Sequence, residues 1–223
     1  MQPYLFPYAG YFQLALVADR FVFYDDVQFI AQGYINRNRL PQGTFTVPLA
    51  AASHTTAIRD REVSPREYPR FLRKWRRGFD QYYRGEPYFE QARSILDQTF
   101  TPEEKSISQL AQTSVRAVCD YLDIPVAFAC SSDHDYARDR DTQGRLLSLL
   151  DSLQTRVYIN TVGGRHLYHA DTFREHGIDL RFFVSNLPYA APTPGFGYSI
   201  LHLLARHPPA EIKQWLSKAY SLT

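Results

Sequence analysis

The spacing of apolar residues changes period several times along the chain, and each change marks a switch between helix and strand. Phe12, Ala15 and Leu16 fall at helical spacing between Gly10 and Arg20. The unbroken run Phe21-Val22-Phe23-Tyr24 then reads as a buried strand stopped by Asp25-Asp26. An extended segment through Asn36-Arg37-Asn38 leads to a second strand over Thr44 to Leu49. From Pro65 to about Leu122 the pattern is helical, with pieces over Tyr68 to Tyr83, after Pro87, and over Glu103 to Tyr121. The last opens on the capping signal Thr101-Pro102-Glu103-Glu104. Alternation resumes with strands over Val126 to Cys130, Val157 to Asn160 and Leu180 to Val184. Between them lie helices over Gln143 to Leu153 and from about Arg165 to His176. A loop from Pro188 to Gly197, with three prolines and two glycines, precedes helices from about Ser199 and from Pro209.

Strands separated by helices predict an α/β fold, Rossmann-like, with a mainly parallel sheet flanked by helices and a central helical insertion over about 65–122. A chain of 223 residues can bury one substantial core, so one domain over 1–223 is expected. In parallel sheets, ligands bind outside the carboxyl ends of strands, where several loops meet. Four predicted strands end in polar residues, at Asp25-Asp26, Ser131-Ser132-Asp133, Asn160-Thr161 and Ser185-Asn186, and together these would form one rim. Turns are polar in any protein, which accounts for some of them. Adjacent carboxylates repel, so the pair Asp25-Asp26 needs a further reason.

Charge narrows the function classes. The 25 basic and 23 acidic side chains leave a formal charge of +2, too small a field to drive the chain onto nucleic acid or a membrane surface. Two cysteines, Cys119 and Cys130, make no disulfide framework and suit a reducing compartment. No stretch approaches the roughly 20 apolar residues that span a bilayer. Met1 leads into Gln2-Pro3-Tyr4 with neither a basic nor an apolar signal region, so no membrane insertion and a cytoplasmic location are expected. The 16 tyrosines and 15 phenylalanines fit either a ring-rich core or a site lined by phenol hydroxyls.

The opening Met1-Gln2-Pro3-Tyr4-Leu5-Phe6-Pro7-Tyr8-Ala9-Gly10-Tyr11-Phe12 packs two prolines and a glycine into ten residues, which restricts the loop to a defined shape. This stretch, with Phe23-Tyr24-Asp25-Asp26-Val27-Gln28-Phe29 and Tyr34-Ile35-Asn36-Arg37-Asn38-Arg39, resembles the WbqC-like family. Pro87-Tyr88-Phe89, Ser131-Ser132, Tyr158-Ile159-Asn160 with Gly163-Gly164, and Leu167-Tyr168 extend the resemblance over nearly the whole chain. Family members occur in O-antigen and other sugar or natural-product gene clusters. The resemblance therefore implies an acyl or aminoacyl (glycyl-type) transferase. It would form an amide on a small amine or amino-sugar acceptor, with a carrier-protein thioester as donor. No cofactor and no metal are expected.

Such a reaction needs a base for the amine, donors for the developing oxyanion, and a surface to position two substrates. Asp25 and Asp26 are the candidate catalytic residues, because one carboxylate beside another gains proton affinity. Gln2, Tyr8, Tyr11, Gln28, Asn36, Arg37, Asn38, Ser131, Ser132, Asn160, Gly163 and Gly164 are candidates for substrate binding. For Asn36-Arg37-Asn38 the alternative is a turn locked by side-chain bonds to backbone, and for Gly163-Gly164 an ordinary tight turn. Arg70, Arg73, Lys74 and Arg77 sit opposite Phe71, Trp75 and Phe79 on one helix, as a solvated face or as a docking surface for an acidic carrier protein.

The sequence departs from the family's pattern in three places. Relatives carry an apolar first strand ahead of Gln2-Pro3, of which only Met1 stands here; Trp75 takes the place of a histidine; and His202 in Ser199-Ile200-Leu201-His202 takes the place of an aspartate. A fainter likeness, Phe6-Pro7-x-x-Gly10-Tyr11 before a helix, is to the start of HxGH nucleotidylyltransferases, with Tyr11 in place of the histidine. It makes nucleotidyl transfer the alternative activity, and a non-catalytic carrier-protein-binding module is the non-enzyme alternative. Cys130 could accept an acyl group, Cys119 reads as core, and His134 between Asp133 and Asp135 matches no metal-binding spacing.

Overall fold

A computed structural model describes residues 1–189 and 195–223, so residues 190–194 of the predicted proline-rich loop lie outside the described residues. Helix α1 (Ala9–Val17) has seven buried residues, Ala9 to Ala15, because it is apolar on every face. Strand β1 (Arg20–Phe23) follows. The hairpin β2 (Arg37–Leu40) and β3 (Gly43–Thr46) comes next, then a 3-10 turn at Ile58–Asp60. Helices α2 (Tyr68–Tyr83), α3 (Phe89–Thr99) and α4 (Ile107–Tyr121) follow in succession. Strand β4 (Ala127–Cys130), helix α5 (Thr142–Ser152), strand β5 (Val157–Thr161), helix α6 (Ala170–Glu175) and strand β6 (Asp179–Ser185) restore the alternation. Helices α7 (Leu201–Arg206) and α8 (Pro209–Lys218) and strand β7 (Tyr220–Leu222) close the chain.

The protein is a mixed α/β structure, but in place of the expected mainly parallel sheet the described residues form three small sheets. β1 and β4 pair in parallel with Phe21 opposite Phe128 and Phe23 opposite Cys130. β5 and β6 also pair in parallel, and β7 adds to β6 antiparallel. β2 and β3 form a separate antiparallel hairpin whose turn needs Gly43 at φ 135°. Met1 is tied to the end of β1, its carbonyl accepting from the Tyr24 amide at 2.7 Å and its amino group donating to the Val22 carbonyl at 2.8 Å. Helix α5 reaches both parallel pairs. Leu149 and Leu153 pack on Val22 and Tyr24, while Leu146, Leu147 and Leu150 share a cluster with Tyr158 and Leu180.

The main core runs from Leu5 to Leu216 and is dense in rings. Trp75 on α2 lies 4.1 Å from Phe45 of β3 between ring centroids, and Phe71, Phe79 and Phe100 surround it. These contacts seat the hairpin on α2. Other differences from the sequence pattern are local. α4 begins at Ile107, not near Glu103, because Ser106 caps it by accepting from the Gln109 amide, while Glu104 accepts from the Ser106 amide at 2.7 Å. The predicted helix from Arg165 is split into a 3-10 stretch, Val162–Leu167, and the short α6. Among the described residues no helix is long and apolar enough to cross a membrane.

Candidate functional site

The parallel pairing of β1 with β4 sets the site. With Phe23 opposite Cys130, the residues just beyond each strand end meet, and these are Asp25-Asp26 and Ser131-Ser132. The Asp25 carboxylate accepts from the Ser132 amide at 3.1 Å and the Ser132 hydroxyl at 3.0 Å, and lies 3.2 Å from the Ser131 hydroxyl oxygen, which accepts from the Asp25 amide at 3.2 Å. Asp26 accepts from the Ser131 hydroxyl at 2.6 Å, the Tyr136 hydroxyl at 2.8 Å and the Arg138 Nε at 2.7 Å, with an Arg145 guanidinium nitrogen 3.3 Å away. Arg145 also donates to the Asp26 carbonyl at 2.8 Å, and Arg138 to the carbonyls of Ser131 and His134. Both residues are buried, so these donors replace the water that the carboxylates have lost.

Adjacency alone predicts a raised proton affinity, and for Asp26 the structure corrects that expectation. Burial pushes its pKa up, but the hydrogen bonds from Ser131, Arg138 and Tyr136 and the charge of Arg145 together outweigh burial and leave it lowered. Asp26 is an ionised anchor. Asp25 meets hydroxyls and a backbone amide, with no ion pair to a cation among the described residues. Tyr136, Arg138 and Arg145 were missed in the sequence. The available signal was electrostatic: two adjacent carboxylates that are buried need cations, and these lie over a hundred residues away.

The other predicted residues divide by what their polar atoms do. Phe6 is held at φ 43°, a left-handed conformation costly for a side chain of that size. Three buried side chains hold it there: Ser114 accepts from the Phe6 amide at 2.9 Å, and Asn38 and Ser199 donate to the Phe6 carbonyl at 2.7 and 2.8 Å. Asn38 also donates to the Leu5 carbonyl at 3.0 Å, and Asn36 to the Val47 carbonyl at 2.9 Å. Both asparagine amide nitrogens are thus spent on backbone, the alternative recognised for this run. The Tyr11 hydroxyl donates to the Gln2 carbonyl at 2.8 Å, and exposed Gln28 donates to the His54 carbonyl at 2.9 Å. Tyr8 and Arg37 are half-buried and keep their polar ends free of hydrogen bonds to described residues. Asn160 accepts from the Thr161 amide at 2.7 Å and lies 3.0 Å from where a Cβ on Gly164 would be, while Gly163 is open on that side. No hydrogen bond among the described residues joins Asn160 to the two carboxylates. Arg70, Arg73, Lys74 and Arg77 are exposed on α2.

The cysteine alternative finds no activation. The Cys130 thiol donates to the Gln112 side-chain carbonyl at 3.1 Å, and burial pushes its pKa up to about 11. Cys119 is buried and pushed up to about 12. Among the described residues no group of three or more His, Cys, Asp or Glu could hold a metal ion. An open depression of about 460 Å³, lined by Leu187, Phe196, Trp215 and Lys218 among others, includes none of the carboxylate–serine residues.

His202 has a structural place. Its Nδ1 is 3.0 Å from the Tyr83 hydroxyl, it is 5% exposed, and burial, with the nearby charges of Arg206 and His207, lowers its pKa to about 4. The unfolded chain binds this proton near pH 6.5, so the stability tied to neutral His202 is complete above that pH and is lost as pH falls towards 4. Urea denaturation of the native chain should lose roughly 2–3 kcal/mol over that window from this residue, and His202→Gln should flatten the slope. An unchanged slope in the variant would place the acid sensitivity elsewhere.

The fold and this buried network define an α/β protein whose polar centre is a carboxylate pair bound to a serine pair across parallel strand ends. The chain belongs to the WbqC-like protein family, whose profile matches residues 2–214. It is similar to Uncharacterized protein Rv1507c of Mycobacterium tuberculosis (strain ATCC 25618 / H37Rv), 27% identical over 183 residues, which cover 79% of this chain and 77% of that protein. No solved structure matches the chain.

Proposed function

We propose that this protein is an acyl or aminoacyl (glycyl-type) transferase that forms an amide on a small amine or amino-sugar acceptor, with a carrier-protein thioester as donor. The observation that supports this best is the division of labour between the two carboxylates. Asp26 is ionised and tied to Arg138 and Arg145, whereas Asp25 is bonded to the hydroxyl of half-exposed Ser132 at 3.0 Å. In the proposed step the acceptor nitrogen attacks the thioester carbonyl and the C–S bond breaks. The amine proton passes through the Ser132 hydroxyl to Asp25 and on to the departing thiolate. Asp26 and Ser131 keep Asp25 in place. Gln2, Tyr8 and Arg37 offer binding groups, Asn38 and Tyr11 shape the opening loop that carries Gln2 and Tyr8, and the exposed cations Arg70, Arg73, Lys74 and Arg77 would dock an acidic carrier.

The test is to incubate the protein with glycyl- and other aminoacyl-carrier proteins and a panel of amines, read by intact mass. One carrier should lose its acyl group while an amine gains it. Asp25→Asn, which preserves size, should slow that transfer by roughly 100-fold, with the denaturation midpoint unchanged or nearly so. Transfer by Asp25→Asn at the native rate would remove Asp25 from the mechanism. Absence of transfer by the native protein, together with carrier binding that charge reversal along Arg70 to Arg77 abolishes, would leave a binding module in its place.

A further inference from the structure

A second group of side chains, unused by the carboxylate network, converges beside the opening loop. The Tyr34 ring is 5.6 Å from Tyr4 and 6.3 Å from Tyr8, and Tyr8 is 6.0 Å from Tyr189, all between centroids. Tyr34 and Tyr189 are large apolar surfaces left 46% and 41% exposed, which a chain does not leave in contact with water without cost. Arg37 and Arg39 project from the same face of β2, opposite buried Asn38 and Leu40, and their cross-strand neighbours Thr46 and Thr44 are exposed. Gly197 ties the two halves together, since a Cβ there would lie 3.6 Å from the Tyr189 carbonyl and 3.9 Å from an Arg39 guanidinium nitrogen. The Arg39 guanidinium also sits 5.1 Å over the Tyr198 ring, which holds it in a fixed orientation.

Hydrogen-bond direction adds a further constraint. Gln13 spends both amide protons on the carbonyls of Leu216 and Ala219, so its oxygen must accept the Ser185 proton at 2.6 Å. Ser185 then has no proton left, and Tyr189, 2.6 Å away, must donate inward to it. The Tyr189 hydroxyl lies against Gly10, where a Cβ would collide with it, so this ring is fixed in place and offers the ligand its face. Tyr8 and Tyr34 keep hydroxyls unbonded to described residues, and neither Arg37 nor Arg39 pairs with a described carboxylate.

Two guanidinium groups without acidic partners, beside tyrosine rings and hydroxyls, match a ligand that combines a dianion with a hydroxyl-bearing ring. We propose that Tyr8, Tyr34, Tyr189, Arg37 and Arg39 form a binding site for a small ring-bearing phosphate monoester. This deepens the binding role given above to Tyr8 and Arg37, but it is tested by binding without turnover, so it can stand if acyl transfer fails, and the reverse. Two sources share the chemistry, a hexose phosphate and a nucleoside phosphate.

Calorimetric titration at constant ionic strength should use a hexose 1-phosphate and a nucleoside 5′-monophosphate, with the free hexose, the free nucleoside and inorganic phosphate alongside. One monoester should bind at least about tenfold more tightly than inorganic phosphate and than its uncharged counterpart, and which one does so identifies the source. Arg39→Ala and Tyr34→Ala, both at exposed positions, should each weaken that binding about tenfold or more with unchanged circular dichroism. Arg174→Ala, which removes the same charge from exposed α6, should leave it unaltered. Two results would overturn the site: neither monoester exceeding inorganic phosphate, or Arg174→Ala weakening binding as much as Arg39→Ala.

Discussion

Replacing Asp26 with alanine is expected to lower folding stability by about 3–4 kcal/mol, the largest effect of any single change in the network. The Asp26 side chain is 2% exposed and gathers Ser131, Tyr136, Arg138 and Arg145, and its removal leaves those donors, two of them cationic, facing a cavity. Arg138 is 35% exposed and can turn to water, which keeps the expected cost below the upper end for a severed buried pair. The same carboxylate contributes to acid stability. Its folded-state pKa is lowered, so its contribution is present above the ordinary value of 3.8 and is lost as pH falls through the folded one. Urea titration at neutral pH with an unchanged m-value is the measurement, and a loss under about 1 kcal/mol would mean the network does not hold β1 to β4. Combining Asp26→Ala with Arg138→Ala should cost less than the sum of the two, because each change strands the other's partner.

Asn38→Leu should cost about 2–3 kcal/mol through a different mechanism. The substitution is close to isosteric, so packing changes little, but the Leu5 carbonyl loses the Asn38 amide, the Phe6 carbonyl retains only Ser199, and the Arg39 amide loses its 2.8 Å acceptor. Released from that clamp, Phe6 no longer has reason to stay at φ 43°. Hydrogen exchange should therefore rise locally at the Leu5 amide, bonded to the Tyr34 carbonyl at 2.9 Å, and at Phe6, before it rises in the helices. Exchange that rises uniformly would indicate global destabilisation with no special role for the clamp. Tyr8 lies two residues beyond Phe6, so the variant should also weaken binding at the tyrosine–arginine surface.

Much of the fold was written locally. A run of apolar residues with period 3.6 or 2 chooses its own element, and α2, β4 and β5 lie within a residue or so of where the pattern put them. Strand-end polarity likewise brought four ends forward as one rim; parallel pairing of β1 with β4 unites Asp25-Asp26 with Ser131-Ser132, whereas Asn160-Thr161 and Ser185-Asn186 end the strands of a separate sheet, with Ser185 bonded to Gln13. β2 was harder, because Arg37-Asn38-Arg39-Leu40 has few apolar residues to mark a strand and draws its regularity from β3 across the hairpin.

The sequence by itself determined most of the helices and the strands β1, β4, β5 and β6, and that carboxylates and serines stand where strands end. Tertiary structure decided which strands pair, β1 with β4 and β5 with β6, with α5 packed against both pairs. It also decided the state of each carboxylate. Asp26 receives Arg138 and Arg145 from 112 and 119 residues away, and Asp25 receives only serines. The reason is range: backbone periodicity acts over a few residues, whereas the charge state of a buried group depends on whatever the folded chain places within a few ångströms of it.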